Sequence, residues 1–194
     1  MKQKKLFLTG LLTALILTQN ANAYEMQAKL DRAMLEYNNN NIGKSADILT
    51  EVSDYLRTQK ALELSHFLPD MGDGWASEKS TNGGSNLMGA SQARGDYTKG
   101  AEIIIVAFMT NNKLVGSMLG LLNQTSAATP DALKLYKGFV TTFEKIEETK
   151  QLVYNLYVSE NLVVSIKGAT LTQEQAVKFI DQIKLDELKM AADK

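Results

Sequence analysis

The side chains most capable of chemistry lie in one short segment, HFLPDMGDGWASEKSTNGGSN, which begins at His66. His66 is the only histidine of the chain, and Trp75 is the only tryptophan. Asp70, Met71 and Asp73 stand between them. Imidazole, carboxylate and thioether groups are metal ligands, while an indole ring often anchors a binding surface. The segment therefore raises three hypotheses: a metal site, a catalytic loop, or a turn beside a contact surface.

A metal site is disfavoured by the number and spacing of these residues. A single histidine excludes every zinc site that needs two or three. A calcium loop of the EF-hand type requires Asp or Asn at its first, third and fifth positions. A loop that starts at Asp70 has Gly72 and Gly74 at the third and fifth. We therefore predict no metal ligand and no cofactor. The alternative is a metal-handling protein that uses His66 with nearby Met or Asp residues.

Catalysis is not predicted either. A Ser-His-Asp triad would have to use His66, and no G-x-S-x-G motif supplies its serine. The chain has no cysteine, which excludes thiol nucleophiles, Cys-ligated zinc and iron–sulfur clusters. His66 follows a predicted helix, and the negative end of a helix dipole favours a histidine. We expect no catalytic residue and no enzymatic activity, with an unrecognised hydrolase as the alternative.

The N-terminal segment is typical of a cleavable signal peptide. Lys2, Lys4 and Lys5 precede a short apolar run from Leu6 to Leu17, and Ala21-Asn22-Ala23 fits the small-x-small cleavage rule. The run is too short to span a bilayer, which takes about 20 helical residues. We expect cleavage after Ala23 and export to the periplasm. Disulfides and a lipid anchor are not expected, since both need cysteine.

Length and charge restrict the classes of partner. Removing 23 of the 194 residues, three of them lysines, leaves 171 residues with 18 basic and 22 acidic side chains. This length fits one domain. A weakly acidic chain lacks the basic surface that binds nucleic acid or anionic lipid. We expect no nucleic-acid partner and no transmembrane span in the mature chain.

Residues 24–66 predict a hairpin of two amphipathic helices. The first helix has apolar residues on one face at helical spacing: Met26, Leu30, Ala33, Met34 and Tyr37. Four asparagines and Gly43 end it, and Ser45 is the expected N-cap of the second helix. We expect this hairpin to pack on the rest of the domain.

The apolar period changes to that of strands after Pro69. Strands are indicated near 90–98, 101–110, 133–147, 152–158 and 162–166, with a turn at Glu160-Asn161. A short apolar helix is expected at 112–123. Thr172 and Gln175 form a capping box that opens a C-terminal helix. Residues 78–86 are expected to be a mobile polar loop.

The predicted fold class is α+β. An N-terminal αα-hairpin precedes a mainly antiparallel β-sheet, with a short apolar helix and a C-terminal helix packed on it. The predicted boundaries are 1–23 for the signal peptide, 24–66 for the hairpin and 67–194 for the sheet domain. We expect the hairpin and the sheet domain to form one compact unit.

Without a catalytic motif, the sequence favours a periplasmic binding or accessory protein. Its partner is expected to be another periplasmic protein or a small apolar ligand. Exposed aromatic and apolar side chains mark such contact surfaces. The candidate contact residues are Trp75, Leu87, Met88, Leu114, Met118 and Leu122.

Three stretches carry a family resemblance: FLPDMGDGW, the strand pair around DYTKGAEIIIVAFMT, and NLYVSENLVVSIKGATLTQEQAVKFIDQIKLDEL. Together they resemble a group of exported proteins of Gram-negative bacteria, in which a Leu-Pro…Gly-Trp turn opens the sheet. The layout is similar, more loosely, to the PsbP/Mog1/DcrB-like α+β architecture. The resemblance covers residues 65–190, approximately, and contains no catalytic motif. It implies a binding or assembly module, and the hairpin at 24–65 lies outside the PsbP-like pattern.

Overall fold

The computed structural model divides the chain into two compact units, with the boundary between Tyr55 and Leu56. The residues that the structure describes are 23–72, 74–83, 90–110 and 134–194. The expected signal peptide up to residue 22 and the expected helix at 112–123 lie outside them.

The first unit is a hairpin of two antiparallel helices. Helix α1 covers residues 23–38, and helix α2 covers Ile42–Ser65 and passes the unit boundary. Asn40 adopts the left-handed conformation, with φ of 62°, which asparagine tolerates better than most residues. The asparagine run therefore makes the turn between the helices, as predicted.

Ser45 has a different role from the one predicted. Helix α2 begins at Ile42, so Ser45 lies inside the first turns of the helix and is not its N-cap. Its buried hydroxyl donates a hydrogen bond of 2.8 Å to the carbonyl oxygen of Ala33 on α1. The N-cap prediction was wrong because a serine side chain can bond to a neighbouring helix as well as to its own.

The second unit contains one antiparallel sheet of seven strands. The strands are β1 (Ala76–Asn82), β2 (Ser91–Lys99), β3 (Glu102–Thr110), β4 (Lys134–Tyr136), β5 (Phe139–Ile146), β6 (Gln151–Ser159) and β7 (Leu162–Gly168). Their order in the sheet is β1-β2-β3-β7-β6-β5-β4. Strands β3, β7 and β6 lie in the centre, and they are the most apolar strands of the sheet. Together with the hairpin and the C-terminal helices, this sheet confirms the α+β fold class.

Strand β1 replaces part of the polar loop predicted at 78–86. It pairs antiparallel with β2 from Ala76 opposite Thr98 to Asn82 opposite Gln92. Its side chains are almost all exposed, because it is an edge strand with no apolar face to bury. The loop prediction was wrong for residues 78–82, since backbone pairing with β2 suffices to extend a polar segment. Residues 84–86 lie outside the described part of the chain.

The main core of the second unit lies between one face of the sheet and the C-terminal helices. Every second residue of the central strands is buried there, including Phe108, Leu156 and Val164. Leu64 at the end of α2 joins the same cluster. A smaller cluster on the opposite face contains Tyr157 and Val163.

Tyr97 ties the segment after α2 to this core. Its buried hydroxyl donates a hydrogen bond of 2.7 Å to the carbonyl oxygen of Pro69. Burial raises the pKa of the Tyr97 phenol well above its ordinary value, and the charge of Asp70 adds to the effect. Gly95 leaves room for the ring, because a Cβ atom there would lie 2.7 Å from Cε2 of Tyr97.

Two short helices close the chain. Helix α3 spans Gln173–Asp181, and its capping box between Thr172 and Gln175 confirms the prediction. Helix α4 spans Leu185–Asp193 and buries Leu188 completely. Within the described residues, no helix combines the length and the apolar character needed to cross a membrane.

Candidate functional site

The sequence placed a contact surface at Trp75 and at five residues of two neighbouring segments. Trp75 is described by the structure. The other five lie outside the described residues: Leu87, Met88, Leu114, Met118 and Leu122. Trp75 can therefore be placed in its surroundings, and the surface as a whole stays a prediction.

Trp75 is half-buried at the start of β1. Its backbone N–H closes a turn on the carbonyl oxygen of Gly72, at 2.8 Å. Its ring and that of Phe179 on α3 meet edge to face, with centroids 5.4 Å apart. Phe179 in turn meets Tyr97 at 5.1 Å, also edge to face. Three aromatic rings thus lead from the sheet core to the surface, which fixes the orientation of the indole.

A small cleft of about 220 Å³ opens beside this ring. Its lining combines an apolar floor with charged walls: Met71, Trp75, Lys99, Glu102, Gln175, Lys178 and Phe179. The Lys99 ammonium lies 5.9 Å from the centroid of the indole ring, within cation–π range. The volume is below the 300–1,000 Å³, approximately, of small-molecule sites. The cleft is therefore suited to one side chain of a partner.

Gln175 fixes the polar wall of this cleft. Its amide oxygen accepts from the backbone N–H of Thr172, which completes the capping box at 2.9 Å. Its amide nitrogen donates to Glu102 on β3, at 2.6 Å. One side chain thus holds both the start of α3 and the Glu102 carboxylate, so the wall is preorganised.

The metal alternative gains no support from the described residues. His66 is exposed in the turn after α2, where its backbone N–H donates a hydrogen bond to the carbonyl oxygen of Glu63. Asp70 is exposed as well, and Asp73 lies outside the described part. No group of three or more His, Asp or Glu side chains within the described ranges is placed to hold a metal ion.

The first unit exposes several large apolar side chains. Of the thirteen large apolar side chains exposed in the described residues, seven lie between Tyr24 and Leu49. Met34 is 66% exposed and Leu49 is 48% exposed. The apolar side chains that the described part of this unit buries are Ala33, Ile48 and Val52. A concentration of this kind marks a contact surface more often than a scatter of single residues does.

Four of these seven side chains line a groove of about 390 Å³ between α1 and α2, here called the hairpin groove. Its apolar lining is Leu30, Ala33, Met34, Tyr37 and Leu49. Its polar lining is Gln27, Asp31, Asn38 and Ser45. The volume falls within the range of about 300–1,000 Å³ that is usual for binding sites.

The groove has a fixed floor because the two helices are held together under it. The bond from Ser45 to the Ala33 carbonyl oxygen brings the helices close where both residues are small. Nearer the open end of the hairpin, Lys29 lies 3.2 Å from Glu51. Near the turn, the Glu36 carboxylate binds Lys44 and accepts from the Asn41 amide. These ties leave the apolar side chains of the groove facing outward.

The part of the hairpin that belongs to the first unit has a negative net charge. Residues 24–55 contain six acidic and three basic side chains. Hydrogen bonding to Lys44, and then to Asn41, lowers the pKa of the Glu36 carboxyl, and the charge of Arg32 contributes. Glu36 is therefore ionised at neutral pH, and the acidic excess is not removed by protonation at that site.

Sequence reasoning identified most of the groove residues as an apolar helix face but not as a site. The apolar residues of a helix have the same period whether another part of the chain or a separate partner covers them. Two further signals were available in Tyr24 and Ile42, which are large apolar residues at the ends of the helices.

Comparison of the chain with protein families, with curated proteins and with solved structures finds no match.

Proposed function

We propose that this chain is a non-enzymatic binding protein of the periplasm whose hairpin groove binds an apolar helical segment of another protein. One observation carries the proposal. Leu30, Met34, Tyr37 and Leu49 are all exposed, and they line one groove of binding-site size. Covering apolar surface of this kind stabilises a complex by about 25 cal/mol per Å² before the costs of association.

The shape of the groove favours a helix as the occupant. Leu30, Met34 and Tyr37 follow one another at spacings of four and three residues along α1. This spacing forms a continuous stripe, and a facing helix packs its own stripe against it. Helix α1 has 16 described residues, a length of roughly 24 Å at about 1.5 Å per residue. A partner helix of four turns would match it.

Periplasmic location rests on the N-terminal 23 residues, which have the pattern of a signal peptide. The absence of cysteine is compatible with an oxidising compartment, because no thiol is at risk there. A binding role needs no catalytic group. This agrees with the exposed position of His66, the only histidine.

A synthetic amphipathic peptide tests the proposal. An 18-residue peptide with leucine on one face and glutamine and lysine on the other is labelled with fluorescein, and its anisotropy is followed as the purified protein is added. Met34→Glu places a charge in the groove and is expected to weaken binding by about tenfold or more. Met190→Glu is the matched control, because Met190 on α4 is 65% exposed and Met34 is 66% exposed. Equal effects of the two substitutions, or no binding of the peptide, would contradict the proposal.

The surroundings of Trp75 favour a second contact between this chain and a protein partner. Its half-buried ring and the cleft of about 220 Å³ beside it accept one side chain. Because Trp75 is the only tryptophan, selectively excited tryptophan fluorescence reports on the surroundings of this one ring. A shift of the emission maximum when a partner protein binds is expected if the cleft is used, and an unchanged spectrum would remove it from the interface.

A further inference from the structure

We infer that the segment bound in the hairpin groove is a basic amphipathic helix, with lysine or arginine flanking its apolar face. The inference rests on the proposed function and specifies its partner. It is carried by the distribution of charge around the groove, which is a separate observation from the exposure of its apolar residues.

Within residues 24–55, two of the three cations form salt bridges, and the third acts on Glu36 through its charge. Lys29 pairs with Glu51 at 3.2 Å and approaches Glu25 at 4.0 Å. Lys44 pairs with Glu36. Arg32 is close enough for its charge to act on Glu36. Carboxylates of the same hairpin therefore offset the charges of Lys29 and Lys44.

The acidic side chains outnumber these cations, and one of them lines the groove itself. Residues 24–55 have six acidic and three basic side chains, a net charge of −3. Asp31 belongs to the groove lining, next to Leu30. It accepts a hydrogen bond of 2.9 Å from the Gln27 amide, and no lysine or arginine of the described residues forms a salt bridge with it. The groove lining therefore contains a carboxylate that no salt bridge within the described residues neutralises.

An apolar stripe with an acidic border selects among helices. A helix with the same apolar face and acidic flanks would bring like charges together, while a basic one gains attraction and faster association. A groove recognises a docked helix by apolar side chains at i, i+3, i+4 and i+7. The charged side chains that flank this apolar face can therefore determine which of several such helices binds more tightly.

The same charge disfavours two other occupants. An anionic membrane surface attracts basic segments and repels an acidic one. A second copy of this chain, paired groove to groove about a twofold axis, would bring Asp31 of one copy near the same border of the other. Both occupants are outcomes that the test below separates from a basic helix.

The test compares three peptides that share length and apolar face and carry lysine, glutamine or glutamate on the polar face. Binding of each to the purified full chain is measured by anisotropy at about 0.01 M and about 1 M ionic strength, where charges are screened beyond about 30 Å and 3 Å. The lysine peptide is expected to bind at least about tenfold tighter than the glutamate peptide at low salt. At high salt the affinities are expected to converge.

Asp31→Asn is the specific variant, and Asp186→Asn is its control, because both are exposed aspartates in helices. Asp31→Asn is expected to reduce the preference for the lysine peptide by up to about fivefold, the effect of one exposed charge. Asp186→Asn is expected to leave the preference unchanged. Thermal unfolding of both variants is followed by circular dichroism as a check that they are folded.

The failures of the two proposals are distinguishable. If none of the three peptides binds, the proposed function is wrong. If all three bind with equal affinity at low salt, the hairpin groove binds helices but the basic partner is wrong. Salt-dependent binding to vesicles of phosphatidylglycerol that Met34→Glu abolishes, or dimerisation in sedimentation that the same substitution abolishes, would also overturn the basic helix as occupant.

Discussion

Replacing Leu49 with alanine should weaken peptide binding about threefold to tenfold, and replacing Leu62 should not. Both leucines lie on α2 and both are 48% exposed, but only Leu49 lines the hairpin groove. Full burial of a leucine side chain contributes about 1.5–3 kcal/mol. Covering the 48% that is open therefore contributes about 0.7–1.4 kcal/mol, which is about threefold to tenfold in Kd.

The assay for this pair is a titration of the labelled lysine peptide, followed by anisotropy, with each variant beside the unchanged protein. Both substitutions are at exposed positions, where stability usually changes by about 0.5 kcal/mol or less. The midpoint of thermal unfolding of each variant should therefore be close to that of the unchanged protein. Equal weakening by Leu49→Ala and Leu62→Ala, or no weakening by Leu49→Ala, would refute the placement of the binding surface.

Three further predictions concern the second unit. Thr172→Ala removes the capping box of α3 and should lower the free energy of unfolding by about 1 kcal/mol in urea denaturation. Phe179→Ala removes the ring that meets both Trp75 and Tyr97, at a cost of about 3–5 kcal/mol, and should expose Trp75 to water so that its emission shifts to the red. Hydrogen bonds from Lys137 and then from Tyr136 lower the pKa of Asp181. The stability that this provides is present above the ordinary pKa and is lost as the pH falls through the lowered one, so Asp181→Asn should flatten the acid limb of a stability–pH profile.

The central strands were predictable because their burial leaves a local trace. Alternation of apolar residues in β6 and β7 follows from one face meeting the core, and the same residues form the cluster around Val164. Strand β1 left no such trace. Its extension comes from pairing with β2, and a polar sequence such as ASEKSTN is equally suited to a loop.

The C-terminal helices show the same division between local and tertiary signals. The capping box at Thr172 is a local device, and it was predicted from residue types and spacing alone. Helix α4 was not predicted as a separate helix. Its N-cap position, Lys184, makes no side-chain capping bond, and the burial of Leu188 against the main core holds it in place.

The hairpin groove was predictable as two helices and not as a surface. The spacing of Leu30, Met34 and Tyr37 indicates an apolar stripe, and the asparagine run indicates the turn. Whether such a stripe is covered depends on what the rest of the chain places against it, which the period does not record. Ser45 contributed to this, because its bond to the Ala33 carbonyl holds two small residues between the helices while Leu30, Met34 and Tyr37 stay exposed.

Binding of an apolar helix in the hairpin groove is tested most directly by mapping where the peptide lies. Amide chemical shifts of the ¹⁵N-labelled protein are followed while the lysine peptide is added. If the peptide lies in the hairpin groove, the largest shifts fall between Gln27 and Leu49, with Leu30 and Met34 among them, and Met34→Glu removes them. Shifts confined to residues after Leu56, or no shifts at saturating peptide, would contradict it.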